Sequence, residues 1–232
     1  MRAMALKLFA TNDELRGYLS RSSHLQTAKE RRAAVSIAVI DDEPFAPQAN
    51  LQTYGYNIKP IGDLKDLNEV ASFHMVLCDV MGVGRHFDAK LQGASLIAEI
   101  KKSYPEKVVI AYTGAAMNDR AAKLATERAD RIIKKDVDIE QWTAVLDELG
   151  REAVDPYVIW NKVRRRFVEI DASTKDILAL EDAYVRAVRS RDASFSLLTT
   201  RANEFNVQKD VRAIVQGIAS SYIFNSIFGA GG

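Results

Sequence analysis

The chain has 232 residues, of which 47% are hydrophobic and 27% are charged, and its formal net charge at pH 7 is +1. A chain of this length and composition can bury a core of its own, and it fits one domain with an appended part. A charge so close to zero excludes a global field that would draw the protein onto nucleic acid or acidic lipid. The single cysteine, Cys78, excludes an intramolecular disulfide and is typical of a reducing compartment.

The amino-terminal residues do not have the pattern of an export signal. The apolar run within residues 1–10 is short and is followed at once by Asp13 and Glu14. No run reaches the roughly 18 consecutive apolar residues that a membrane span needs. We therefore expect a cytoplasmic protein with no membrane partner.

Residues 1–33 are predicted to form an extension that is mostly helical. A short strand is expected at residues 6–9, and Thr11 with Glu14 has the spacing of a capping box. The following stretch, 13–32, is polar. The simplest interpretation is a solvated helix that leads into the first core strand, and a partner site is the alternative.

Strand and helix patterns then alternate along the chain. Short apolar runs predict strands, and amphipathic stretches between stop signals predict helices. Strands are predicted at residues 35–40, 57–61, 75–78, 107–112 and 131–133, and helices at 45–54, 63–72, 94–104, 116–128 and 139–149. Short connections and the absence of a hairpin signal indicate an α/β fold with a doubly wound, five-stranded parallel sheet.

Four of these strands end in polar residues. In chain order the ends carry Asp41 and Asp42, then Asp79, then Thr113, then Lys134 or Lys135. The carboxyl ends of parallel strands meet at one edge of a sheet, so we expect these side chains to lie together. Acids from two strands can hold a hard cation such as Mg²⁺ through oxygen atoms. A hydroxyl and an ammonium can bind the oxygens of a phosphoryl group that Asp79 accepts as a nucleophile.

Four segments carry a resemblance to a known family. They are Val-Ile-Asp-Asp at 39–42, Val-Leu-Cys-Asp at 76–79, Ile-Ala-Tyr-Thr-Gly at 110–114 and Ala-Asp-Arg-Ile-Ile-Lys-Lys at 129–135. Together they closely resemble the receiver domain of bacterial two-component response regulators. The resemblance covers residues 34–152, a span that suits one domain. It implies a flavodoxin-like receiver fold for that part of the chain.

The resemblance also implies a role for each residue at the strand ends. Asp79 would be the phosphoacceptor, Thr113 the switch hydroxyl, and Lys135, in preference to Lys134, the lysine that contacts the phosphoryl group. Mg²⁺ would be bound by Asp41, Asp42, Asp79 and the backbone carbonyl of Met81.

The sequence departs from the family pattern at three places. Asp136 follows the lysine where the family has proline, and Ile132 replaces the switch aromatic residue. The loop at 82–92 is longer than the family's by about six residues, beyond the common range for such loops. We expect this loop either to have a function or to be a tolerated insertion. Its function would be to gate the site or to present the basic side chains Arg85, His86 and Lys90 to a partner.

The positions two residues beyond Asp79 and Thr113 predict a slow loss of phosphate. They hold Met81 and Ala115, neither of which has an acid or amide group that could orient an attacking water. The phosphoryl aspartate is therefore expected to be long-lived, and a half-life of seconds in the purified protein would contradict this.

The last third of the chain, residues 153–232, has only helical patterns. Asp155 and Pro156 predict the start of one helix, and Ser173 with Asp176 the start of a second. Further helices are predicted at 194–205 and 207–228.

Two stretches of this helical part bear on its function. The basic cluster at 162–166, with Lys162, Arg164, Arg165 and Arg166, is either a solvated helix face or a nucleic-acid contact. The uncharged stretch at 213–232 is too polar for a membrane span and suits packing or homodimerisation.

The sequence therefore predicts a response regulator that is not an enzyme beyond its own phosphorylation and dephosphorylation. A histidine kinase or phosphotransfer protein would supply the phosphoryl group, and residues 153–232 would signal to an unidentified output protein. The alternative output is DNA binding by the same regulator. A phosphatase of the haloacid dehalogenase type would need a second acid where Met81 stands. A receiver-shaped module that is never phosphorylated would not need the acids, threonine and lysine together.

Overall fold

The computed structural model describes residues 12–19, 27–114, 120–205, 207–220 and 223–228. Its sheet consists of β1 (Ser36–Ile40), β2 (Asn57–Pro60), β3 (Met75–Asp79), β4 (Val108–Thr113) and β5 (Arg131–Lys134). The strands lie in the order β2-β1-β3-β4-β5. All neighbouring pairs are parallel, which confirms the predicted doubly wound fold.

The helices cover both faces of the sheet and continue beyond it. They are α1 (Asn12–Leu19), α2 (Ala28–Ala34), α3 (Gln48–Thr53), α4 (Gly93–Ser103), α5 (Arg120–Arg128), α6 (Ile139–Ala153), α7 (Pro156–Glu169), α8 (Thr174–Ser190), α9 (Ser196–Glu204), α10 (Lys209–Ser220) and α11 (Ile223–Phe228). No helix in the described ranges is long and apolar enough to cross a membrane.

The strands are apolar without alternation because both faces of the sheet are covered. Successive side chains of a strand point to opposite faces. Met75 and Leu77 of β3 therefore belong to one buried cluster, and Val76 and Cys78 to another. The first cluster includes side chains of α3 and α6, and the second includes side chains of α4 and α5.

The carboxyl-terminal helices pack directly onto the first of these clusters. Buried side chains run without a break from the sheet through Trp142 of α6 to Trp160, Tyr184 and Phe224. The Trp160 ring stacks on Tyr184 with centroids 4.8 Å apart, and the Trp160 Nε1–H donates to Glu181 at 2.7 Å. The predicted division at residue 152 falls inside α6. Buried side chains join the parts on either side of it, and the division stays a prediction.

The amino-terminal edge of the sheet is buried, and two of these helices lie beside it, with Tyr184 of α8 near Glu106 and Ile223 of α11 near His74. His74, Glu106 and Lys107, at or just before the starts of β3 and β4, have 3%, 2% and 0% of their surface exposed. The Lys107 Nζ donates to the carbonyls of Ala71 and Phe73 at 2.9 and 2.7 Å and lies 3.7 Å from Glu106 Oε1. The helices thus cover charged groups as well as apolar ones.

One predicted helix has a different structure. Residues 63–72 form only a short 3₁₀ turn at Leu67–Val70. The Asp66 side chain accepts from the Asn68 backbone N–H, and Glu69 accepts from the backbone of Lys65 and Asp66. These local hydrogen bonds between side chains and backbone compete with an α-helix. The predicted helix was wrong for this reason.

Other boundaries differ from the predictions by a turn or more. α6 does not end before Gly150 but continues to Ala153, because Leu149 and Ala153 pack into the core. It ends before Asp155, which is extended because Pro156 follows. Within the predicted helix over 13–32, the described residues form α1 and α2, and α2 is capped by Thr27 and Glu30.

The remaining helices agree with the pattern in part. Asp155 and Ser173 cap α7 and α8 as predicted. The stretch predicted as one helix at 207–228 is described as α10 and α11. The strand at 6–9, Thr11 and the start of the helix at 116–128 lie outside the described residues.

Candidate functional site

Three carboxylates converge at the carboxyl edge of the sheet. Asp41 and Asp42 follow β1, and Asp79 is the last residue of β3. One oxygen of each lies within 4.8 Å of the other two. Asp41 and Asp79 are buried, whereas Asp42 is exposed. Three like charges at this distance repel one another, so the donor set fits a hard divalent cation that takes oxygen ligands.

The loop after β3 passes directly over these acids. Gly82 has a φ of +87°, and a Cβ atom there would lie 2.3 Å from Asp42 Oδ1. Only glycine combines this left-handed conformation with so close an approach. The Met81 N–H donates to Asp79 Oδ1 at 3.3 Å. The backbone that follows Asp79 therefore lies beside the acids, where the Met81 carbonyl is expected to serve as a ligand.

Lys135 brings a positive charge to the same place. Its Nζ donates to Asp79 Oδ2 at 2.7 Å and to Asp41 Oδ2 at 3.3 Å. Partial burial opposes the charged form, but the hydrogen bond to Asp79 prevails and raises the pKa of Lys135. Lys134 is exposed at the end of β5. The structure therefore brings Lys135, of the two candidate lysines, to the acids.

The pKa of Asp79 is subject to opposing effects. Burial raises its pKa, and the Asp41 charge adds to that effect. The hydrogen bonds from Lys135 and from the Met81 N–H lower it in part. A carboxylate in this position can bind a cation, and one of its oxygens can act as a nucleophile.

Thr113 lies at the end of the neighbouring strand. It is 2% exposed, and its carbonyl accepts from the Lys135 N–H at 3.1 Å. Its β-strand neighbour Tyr112 pairs with Asp79 across β3 and β4. The hydroxyl predicted to bind the phosphoryl group is therefore on the strand adjacent to the acceptor.

Tyr112 was not predicted to belong to the site. Its hydroxyl donates to Asp41 Oδ2 at 2.7 Å, and its ring centroid lies 5.4 Å from Lys135 Nζ. Burial and this hydrogen bond raise the pKa of Tyr112. One signal was available in the sequence: a hydroxyl-bearing aromatic residue stands in an otherwise apolar strand, and a buried phenol requires a partner.

The long loop is tied to the body of the protein. The Gly82 N–H donates to Gln92 Oε1 and the Gly84 N–H to Asp63 Oδ1, each at 2.7 Å. Val83 is fully buried. Three basic side chains predicted to face a partner are exposed, namely Arg85, His86 and Lys90. Gating by this loop stays a prediction.

The two other departures lie beside the site. Ile132 is half-buried and packs against the cluster that contains α4 and α5. Asp136, directly after Lys135, is exposed. No aromatic ring occupies the position at which the family has its switch residue.

The basic cluster of α7 is distributed around the helix. Lys162 Nζ lies 3.0 Å from Asp130 Oδ1, Arg164 lies 3.8 Å from Glu181, and Arg166 lies 3.1 Å from Glu169; Arg165 is exposed. Three of these four cations therefore have an acidic neighbour within the chain. Such an arrangement favours the interpretation as a structural helix face over a single surface for nucleic acid.

Comparison with known proteins gives structural neighbours only. No family model matches the sequence, and no curated protein matches it. Among solved structures, a CheY-like receiver domain from Methanospirillum hungatei is 19% identical, with a TM-score of 0.41, over 51% of this chain and 95% of its own.

Two longer neighbours span more of the chain. A Burkholderia pseudomallei response regulator with a phosphorylated aspartic acid is 20% identical, with a TM-score of 0.40, over 79% of this chain and 97% of its own. Full-length FixJ from B. japonicum is 18% identical, with a TM-score of 0.45, over 84% of this chain and 94% of its own. These structural neighbours are response-regulator proteins. The fold of this chain is shown by its own parallel strand order, β2-β1-β3-β4-β5.

Proposed function

We propose that this protein is a phosphorelay response regulator in which Asp79 accepts a phosphoryl group. The observation that supports this is the joint geometry of the Asp79 carboxylate. It has Lys135 Nζ at 2.7 Å, and it lies within 4.8 Å of oxygens of Asp41 and Asp42. An aspartyl nucleophile, a cation site and a lysine are the groups that phosphoryl transfer to a carboxylate requires.

The chemistry is a direct displacement at phosphorus. One Asp79 oxygen forms a bond to phosphorus while the bond from phosphorus to the donor breaks, which is a P–N bond for phosphohistidine and a P–O bond for acetyl phosphate. A Mg²⁺ ion bound by Asp41, Asp42, Asp79 and the Met81 carbonyl would neutralise charge on the phosphoryl oxygens. Lys135 exchanges its contact with the carboxylate for a contact with a phosphoryl oxygen, and we expect the Thr113 hydroxyl to bind another.

Intact mass after incubation with acetyl phosphate and MgCl₂ tests this function. The parent protein is expected to gain the mass of one phosphoryl group, and Asp79→Asn is expected to gain none. Asp136→Asn is the matched control, since Asp136 is an exposed acid beside Lys135 but is not one of the three clustered acids. No phosphorylation of the parent, or equal phosphorylation of Asp79→Asn, would contradict the proposal.

The output is proposed to pass through protein contacts of the helical part. In the stretch 213–232, which sequence analysis assigned to packing or homodimerisation, the apolar side chains of α10 are buried within the chain itself, namely Ile214, Val215 and Ile218. Phosphorylation changes the charge at the carboxyl edge. α6 leads from the sheet into α7, so a shift of α6 would move the helices attached to it.

DNA binding is the alternative output. It rests on Arg165, which is exposed, and on a basic cluster whose other members have acidic neighbours. A mobility-shift titration with genomic fragments, with and without acetyl phosphate, distinguishes the two outputs. Steep, salt-dependent binding would support DNA recognition, and its absence supports output through protein contacts.

A further inference from the structure

The orientation of Asp41 is fixed by three donors. Its Oδ2 accepts from the Tyr112 hydroxyl at 2.7 Å and from Lys135 Nζ at 3.3 Å. Its Oδ1 accepts from the Glu43 N–H at 3.0 Å. Asp42, by contrast, is exposed. Asp41 is therefore the acid of the pair that the surrounding protein holds in place.

Lys135 and Tyr112 hold Asp41 in different ways. Lys135 is shared with Asp79, and the proposed transfer requires it to move to a phosphoryl oxygen. Tyr112 lies in the core, 1% exposed, on β4, the interior strand beside β3. Its hydroxyl therefore keeps its contact with Asp41 while Lys135 changes partners.

We infer that Tyr112 is a positioning residue of the cation site: its hydroxyl holds Asp41 in the orientation that a divalent cation requires, and its ring connects that carboxylate to α6. This inference rests on the proposed function, because it concerns the same acids. Groups that orient metal ligands typically contribute 10- to 100-fold to metal affinity. Phenylalanine at this position would fill nearly the same volume but could not donate to Asp41.

The ring of Tyr112 has contacts that lead away from the site. It packs edge-on against Phe45, with centroids 5.4 Å apart, and against Trp142, with centroids 6.1 Å apart. Phe45 and Trp142 are themselves 5.3 Å apart. Trp142 is a buried residue of α6. A shift of Asp41 on cation binding is thus passed by direct contact to the helix that continues into α7, although Ile132 stands at the family's aromatic position.

The test is a calorimetric titration of the full chain with MgCl₂. We expect Tyr112→Phe to bind Mg²⁺ about 10-fold more weakly than the parent protein. Tyr56→Phe is the matched control: the Tyr56 hydroxyl donates to Asp147 Oδ1, also at 2.7 Å, and Tyr56 is 5% exposed. This control should keep the parent affinity for Mg²⁺. The urea midpoints of unfolding of both variants should fall by similar amounts, since each variant loses one hydrogen bond to a carboxylate.

The outcomes separate this inference from the proposed function. If the parent protein binds no Mg²⁺ and accepts no phosphoryl group, the proposed function fails. If the parent does both and Tyr112→Phe has the parent affinity, the inference is overturned and the function stands. Equal loss of Mg²⁺ affinity in Tyr112→Phe and Tyr56→Phe would also overturn the inference, because the effect would then follow from stability alone.

Tryptophan emission tests the connection to α6. We expect saturating Mg²⁺ to change the emission of the parent protein, and Trp142→Phe to abolish that change. Tyr112→Phe at saturating Mg²⁺ should show a smaller change than the parent. Emission that does not change on saturation of the parent, or that changes equally in Tyr112→Phe, would contradict the coupling of the site to Trp142.

Discussion

The two edges of the sheet carry charged groups in opposite surroundings. At the carboxyl edge, Asp42 is exposed and the Lys135 side chain is 34% exposed, so ions and phosphoryl groups have access. At the amino edge, the Lys107 and Glu106 side chains are 0% and 1% exposed, and helices cover them. Charges that solvent reaches can change partner or state. Charges that helices bury contribute to the stability of one arrangement, and removing one partner is costly.

Lys107→Met, at the amino edge, is expected to have the largest effect, and the effect is on the free energy of unfolding. It leaves Glu106 buried without its neighbouring cation and leaves two carbonyls without their donor. We expect a loss of about 3–5 kcal/mol in the free energy of unfolding, measured by urea titration. Exposed Lys123→Met is the control and should change stability by less than about 0.5 kcal/mol. A Lys107→Met protein as stable as the parent would show that the amino edge is not held by this pair.

Lys135→Met, at the carboxyl edge, is expected to slow phosphorylation. Removing a donor that stabilises the transferring oxygens typically slows a reaction roughly 100-fold or more. We expect the rate of phosphorylation by acetyl phosphate, followed by intact mass, to fall by about that factor. Lys134→Met is the matched control, because Lys134 is the exposed lysine beside it. Equal rates for the two variants would remove Lys135 from the proposed chemistry.

The pH dependence of stability is expected to come in part from the amino edge. Burial, assisted by Lys107, lowers the pKa of His74 to about 4, below the ordinary value of 6.5. The folded protein therefore binds fewer protons than the unfolded chain between these values. The contribution of His74 to stability is complete above about pH 6.5 and is lost as the pH falls toward 4. At pH 4.5 the stability lost amounts to about 2.5 kcal/mol.

Urea titrations at pH 7 and pH 4.5 measure this effect. His74→Asn should lose less stability than the parent protein between the two pH values, since asparagine does not titrate. His86→Asn, which changes an exposed histidine, should behave as the parent does. If the parent and His74→Asn have the same pH dependence, the ring of His74 is not the group that titrates.

The sequence predicts the residues of the carboxyl edge better than those of the amino edge. The acids, Thr113 and the lysine pair could be predicted because strand ends in a parallel sheet meet, whatever the chain does elsewhere. The local pattern Glu106-Lys107 before an apolar strand gave no sign of burial. The helices that cover it come from residues about 50 to more than 100 positions further along the chain. The phenol of Tyr112 in an apolar strand indicated that its hydroxyl needs a partner, but that the partner is Asp41, 71 residues away, is visible only in the structure.

Local hydrogen bonds and core packing explain the errors in secondary structure. Asp66 and Glu69 bond to nearby backbone and stop a helix that their apolar neighbours favour. Gly150 lies within α6, where the buried side chains of Leu149 and Ala153 on either side of it pack into the core. In both cases the apolar pattern alone does not determine the conformation: side-chain hydrogen bonds decide it at 63–72, and core packing decides it at Gly150.

The unbroken cluster of buried side chains that joins the sheet to the last helices limits how this protein can be divided. Shortening the chain at residue 152 would open the amino edge to water and remove Lys162 from Asp130. The sheet would then lack the cover under which Lys107 and Glu106 are held. In this molecule the sheet and the helices that follow α6 share one interior, so neither can be replaced without rebuilding the other.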